Sequence, residues 1–180
     1  MRARRRSGLV VSFVAAALCA ACAGNPGHPV STADVPAALQ PAGEKMVFAW
    51  SARGVQIYDC KAGANGAPAW VFVAPEAELF DSAGAKVGDH GAGPYWQNRD
   101  GSKVIGTLKQ RADAPDAGAV PWLLLSARQA GGPGALARVT SIQRVHTKGG
   151  VAPEGGCASG DVGRQVRVPY TADYVFYETP

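Results

Sequence analysis

The 180-residue chain has no apolar run long enough to cross a bilayer as a helix, few charged residues, three histidines and four cysteines. Its longest uncharged apolar run, Leu9 to Ala21, is thirteen residues, against the roughly twenty that a spanning helix needs. The common nucleotide and hydrolase motifs are missing too: there is no P-loop, no dinucleotide fingerprint behind a strand, no Gly-x-Ser-x-Gly elbow and no His-Glu-x-x-His. No Cys or His has a second ligand at metal-binding spacing, and the oxygen-rich turn Asn98 to Ser102 does not match a calcium loop. The Gly-Gly pairs at 131–132, 149–150 and 155–156 lack the following helix that would make them phosphate cradles. No metal or cofactor is expected on these grounds. A true basic excess is absent as well. The formal net charge is +4, but Arg2, Arg4, Arg5 and Arg6 supply four of the 18 basic residues, and the other 14 balance 14 acidic ones. The charge therefore gives no reason to expect a nucleic-acid partner.

What is present begins with that basic cluster. Four arginines, a short apolar run and small residues at its end make the three-part pattern of a secretory signal over residues 1–21. Two cleavage patterns fit. Ala21-Cys22-Ala23 suits ordinary signal peptidase, whereas Leu18-Cys19-Ala20-Ala21-Cys22 is similar to a bacterial lipobox, with Leu18 one place too early. The Gly- and Pro-rich stretch after Cys22 favours the lipoprotein, lipidated at Cys22 and tethered by residues 22–42. Ala23 next to it resembles outer-membrane sorting. The expected location is therefore an exported, outer-membrane lipoprotein. Loss of the leader leaves Cys60 and Cys157 in the body of the chain, and in an oxidising compartment two such cysteines join. Only one connectivity is then possible.

The folded domain is expected over residues 43–180, built of short strands. After residue 21 the chain holds 22 of its 23 glycines and all 13 prolines, a density suited to many turns and below that of low-complexity disorder. Lys45 to Trp50 and Val55 to Cys60 read as a hairpin about Ser51-Ala-Arg-Gly54. Ala69 to Ala74 is apolar on both faces and reads as a central strand with Trp70 in the core. Further runs lie at 77–80, 85–87, 95–97, 103–110, 122–128, 136–146, 165–168 and 172–178, rich in Val, Ile, Thr and aromatics. The segment from Leu136 to Val145 could also be helical. In the last run Tyr174 and Phe176 share one face, and Val175 and Tyr177 the other. Asp113 to Pro121 and Lys148 to Gly163 read as loops. The fold class is all-β, a single antiparallel β-sandwich or barrel.

Chemistry-bearing residues concentrate between 88 and 102. His90, between Gly88 and Gly91, reads as a loop histidine able to approach a ligand, with Trp96 and Tyr95 for stacking and Asp89 or Asp100 to orient the imidazole. Trp96, beside Pro94-Tyr95 and a polar turn, reads either as the wall of a groove suited to sugar rings or peptides or as core packing. His146 reads as a strand-end residue facing solvent. These residues support a non-catalytic envelope module that binds a small molecule, glycan or peptide at His90, Trp96 and Asp100, with Asp89 and Tyr95 alongside. The alternatives are a hydrolase or isomerase using His90 as general base, and a purely structural envelope protein.

Several stretches carry a family resemblance: Gly54-Val-Gln-Ile-Tyr-Asp-Cys60, Trp70-Val-Phe-Val-Ala-Pro75, Gly88-Asp-His90, Gly93-Pro-Tyr-Trp96 and Asp100-Gly-Ser102. Val120-Pro-Trp-Leu-Leu124, Ile142-Gln-Arg144, Thr147-Lys-Gly-Gly150, Cys157 and Pro169-Tyr-Thr-Ala-Asp-Tyr-Val-Phe-Tyr177 complete it. From about Val35 to Tyr177 the chain resembles the secreted and lipoprotein domains grouped as domain of unknown function 3455, in bacteria and fungi. The resemblance implies a single domain and supports pairing Cys60 with Cys157; it implies no activity. A malate dehydrogenase label attached to some relatives does not fit, because no glycine fingerprint sits on a βαβ pattern.

Overall fold

A computed structural model describes residues 30–63 and 66–180. The expected leader (1–21) and the lipidation site Cys22 lie outside the described residues. Eight antiparallel strands follow one another around a closed barrel: β1 (Lys45–Ala62), β2 (Pro68–Phe80), β3 (Lys86–Gly91), β4 (Tyr95–Asn98), β5 (Lys103–Ala112), β6 (Trp122–Gln129), β7 (Ser141–Gly149) and β8 (Gln165–Glu178). Pairing of β1 with β8 closes the ring. Of the two architectures open to the sequence, the barrel is the one adopted.

The expected hairpin about residues 51–54 does not form. β1 runs straight through it as one 18-residue strand. Gly54 is needed for proximity, since a Cβ there would collide with the Glu76 carbonyl oxygen and with Ala77 on β2. A glycine inside a strand marks such a close approach as readily as a turn. The runs at 69–74 and 77–80 likewise fuse into β2, and those at 165–168 and 172–178 into β8. The segment from Leu136 is strand only from Ser141; Leu136 and Val139 lie in the preceding connection, both buried.

Alternation along the strands separates two cores. Trp50, Trp96, Leu125, Ile142, Tyr174 and Phe176 meet inside the barrel. Trp122, Leu124, Val145, Val175 and Tyr177 form a second cluster on the outer wall. That cluster is covered by residues 30–42, which were expected to be part of a flexible tether. Instead Val35 and Leu39 are buried on it, a short 3-10 turn spans Ala37–Leu39, and Gln143 Nε2 donates to the Leu39 carbonyl at 2.7 Å. Elsewhere the outer face is charged. Arg53 stands opposite Glu78, Arg167 pairs with Glu76 and Lys86 bridges Glu78 and Asp89. An apolar interior with a charged exterior reverses the pattern of a barrel that faces lipid.

The ring is uneven. β2 pairs with β3 only through Ala77–Phe80, so among the described residues its first half, Pro68 to Glu76, pairs with β1 alone. Val71, Phe72 and Val73 are exposed there; they belong to a rim, and not to the central strand that their composition suggested. Trp70 is half-buried at the same rim, where its Nε1 donates to the Gly156 carbonyl at 2.9 Å. Beside it the Cys60–Cys157 disulfide joins the end of β1 to the loop before β8.

Candidate functional site

His90 belongs to β3 and not to a loop. Gly88, read as a turn residue, lies within that strand, because a Cβ there would run into the Gln97 carbonyl of β4. His90 points into the barrel and is 3% exposed. Its Nδ1 lies 2.6 Å from the Tyr95 carbonyl oxygen. A carbonyl only accepts, so the proton sits on Nδ1 and the lone pair on Nε2. Burial pushes the imidazole pKa down to about 3, so the ring is neutral at physiological pH.

Trp96, opposite His90 in the β3–β4 register, stacks on that ring with centroids 4.4 Å apart at 20°. It is 1% exposed, so of the two readings open to the sequence core packing is the one realised, and not the wall of an open groove. Its indole N–H has no acceptor among the described residues. Tyr174 of β8 packs edge-on to Trp96 at 5.2 Å and tilted to His90 at 4.9 Å. Its hydroxyl is 3.4 Å from that of Tyr170, and burial raises the pKa of both phenols.

Arg144 completes the wall. It stands opposite Tyr174 in the β7–β8 register, and its Nε and Nη2 donate to the Pro121 carbonyl at 3.1 and 2.8 Å. Together these groups line a partly open cavity of about 290 Å³. Phe72, Val73 and Pro75 reach it from the single-sided stretch of β2, and Gly93 and Pro94 from the β3–β4 turn. An eight-stranded barrel is about wide enough inside to be filled by side chains or to hold one small ligand. Here side chains fill most of the interior and leave this cavity beside them.

The other residues singled out in the sequence lie elsewhere. Asp89 faces outward and pairs with Lys86 at 2.9 Å. It borders a second, outer depression of about 770 Å³ in which Arg167 pairs with Glu76, while Glu78 and Asp89 pair with Lys86 beside it. Asp100 organises the turn after β4: it accepts from the Ser102 hydroxyl and N–H, from Asn98 Nδ2 and from the Ala135 N–H. The Ser102 hydroxyl foremost, then the Ala135 N–H, holds its carboxyl below the usual range. Tyr95 gives His90 its carbonyl, while its ring lies under the Lys103 ammonium at 4.1 Å. Among the described residues the imidazole thus has no carboxylate to orient it, and a base with a pKa near 3 is a poor proton acceptor at neutral pH. The His–Asp pair on which the acid–base alternative depended is not formed.

His146 also departs from expectation. A bulge between Val145 and Lys148 gives it a left-handed φ of 49°. Its ring is turned to the outer wall, where Nδ1 is 2.9 Å from Asp173 and Nε2 is 3.3 Å from Asp34 of the N-terminal segment. At 29% exposure it is a clasp residue, neither free in solvent nor in the cavity with His90.

Sequence reasoning found His90 and Trp96 but missed Arg144, Tyr174 and Phe72 as their neighbours. The available signal was alternation: Arg144 falls on the same strand face as Ile142, and Tyr174 on that of Phe176. An arginine on a core face stands out once the face is known.

This geometry belongs to a small antiparallel barrel with an aromatic internal cavity. Over residues 41–178 the chain matches the family described as "Protein of unknown function (DUF3455)", and it is a member of that family. No curated protein and no solved structure gives a significant match.

Proposed function

We propose that the domain is an exported, non-catalytic binding module that holds one small apolar molecule inside the barrel, between His90, Trp96 and Tyr174. The observation that carries this reading is the cavity of about 290 Å³, walled by aromatic rings and bordered by Trp96, whose buried N–H lacks a partner. Buried polar hydrogens are almost always paired, so an orphaned donor beside a cavity is a candidate ligand contact. Of the ligand classes the sequence allowed, the volume favours a small molecule; it falls at the lower end of the range of about 300–1,000 Å³ for ligand pockets and leaves no room for a chain of sugars or residues. The Cys60–Cys157 disulfide is compatible with an oxidising, exported compartment.

The test is a thermal-shift measurement on the oxidised protein with 2-naphthamide, a neutral bicyclic probe. A ligand that binds only the folded state raises the midpoint by mass action. The expected result is a concentration-dependent rise that Phe72→Ala weakens, at an unchanged midpoint without probe, because Phe72 lines the cavity yet is 51% exposed. No rise at millimolar probe would defeat the reading.

A further inference from the structure

Among the described residues, Arg144 is the only cation lining this cavity. Strand alternation turns it inward with Ile142, away from the charged outer face where Lys86 and Arg167 find carboxylates. Among the described residues it forms no ion pair. Its two hydrogen bonds to the Pro121 carbonyl and its further one to the Tyr174 hydroxyl all go to neutral acceptors. Nothing titratable that lines the cavity with it carries negative charge: His90 is neutral and Tyr174 is protonated. Tyr58 and Tyr170, which also feel its charge, are protonated phenols as well. A guanidinium half-removed from water without a counter-charge is unfavourable, and an anion that enters beside it relieves that cost.

We infer that the cavity selects a small, ring-bearing carboxylate, its carboxylate paired with Arg144 and its apolar ring lodged among Trp96, Tyr174 and Phe72. This rests on the reading of the cavity as a ligand site and adds the ligand's charge. The guanidinium fork matches a planar carboxylate in two parallel hydrogen bonds. One positive charge in apolar surroundings suits one negative charge better than two, which disfavours a phosphate dianion. At ordinary packing density the cavity takes about ten to fifteen non-hydrogen atoms.

The test compares 2-naphthoate with 2-naphthamide, which has the same shape without the charge, by calorimetric titration of the oxidised full chain at pH 7. The expected result is at least tenfold tighter binding of the carboxylate. Arg144→Gln should erase that preference, and Arg144→Lys should retain part of it. Equal affinities in the unaltered protein, or a preference that persists in Arg144→Gln, would overturn the inference while leaving the cavity reading intact. Failure of both probes to bind would overturn the two together. The comparison in the unaltered protein decides the matter even if Arg144→Gln does not fold, which circular dichroism would reveal.

Discussion

An imidazole as buried as His90 is costly to ionise, and that cost has a sign. With a pKa near 3 in the fold against 6.5 for the unperturbed group, protons bind the unfolded chain first as pH falls. Above pH 6.5 both states are neutral and the contribution of His90 is complete. Below it the unfolded state gains a proton that the native state refuses, and stability drops by about 1.4 kcal/mol per pH unit. By pH 4.5 the loss from this one residue is roughly 3 kcal/mol. Urea unfolding at pH 7 and pH 4.5 should show it, and His90→Gln should remove most of the difference. An equal acid loss in the variant would show that His90 is not the group responsible. Asp34, Asp100 and Asp161, held below their ordinary range by hydrogen bonds, add their own acid sensitivity only nearer pH 4 and below. At this scale the sequence singled out His90 and Trp96 because histidine and tryptophan are scarce and stand close together. It did not reveal their burial, because a glycine that admits a neighbouring strand is spelled the same as one that makes a turn. Asp100 drew attention as a carboxylate in a turn, and turn-building is what it does.

Among the elements, the segment from Val30 to Gln40 changes how the barrel should be understood. β6, β7 and β8 would otherwise expose Trp122, Leu124, Val175 and Tyr177 on their outer wall. The segment covers them, with Leu39 fully buried at its turn and Asp34 clasped by His146. Proline and glycine density had suggested a tether, since composition cannot say that a few apolar residues have a sheet to lie on. The consequence is measurable: Leu39→Ala should lower stability by about 2–4 kcal/mol, the range for emptying a fully buried leucine site. It should leave 2-naphthamide affinity unchanged, because the outer cluster and the internal cavity lie on opposite sides of the sheet. Loss of under about 0.5 kcal/mol, the level of an ordinary surface substitution, would return the segment to the status of a tether. The same contrast explains the tryptophans. Trp70 lies in an apolar run and Trp96 in a polar one, yet β2 has one neighbour at Trp70 whereas β4 has two at Trp96. Strand composition was legible; the number of strands beside it was not.

For the molecule as a whole, the disulfide and the uneven ring belong together. Closing eight strands leaves no edge except where pairing fails, and it fails in the first half of β2, beside the cavity. That stretch leans on β1, and the end of β1 is tied through Cys60 to Cys157. The loop before β8 is held at the same place by backbone bonds between Cys60 and residues 163–164, and by Trp70 donating to Gly156. The bridge spans 97 residues in sequence, a loop length for which chain entropy gives at most about 4.7 kcal/mol. The pairing was open to sequence reasoning because only two cysteines remained, but its place at the weak rim was not. Cys157→Ser should therefore lower unfolding stability by about 2–4 kcal/mol. It should also open the loop locally, so that limited trypsin digestion cuts first at Arg164 before the barrel unfolds. Unfolding and digestion can be followed on the same samples with and without reductant. A stability loss with no change in the first cut would mean that the bridge acts only on the unfolded chain, and the rim is held by its hydrogen bonds. A first cut at Arg164, under conditions where far-ultraviolet circular dichroism is still native, would show that the disulfide secures the side of the barrel on which the cavity opens.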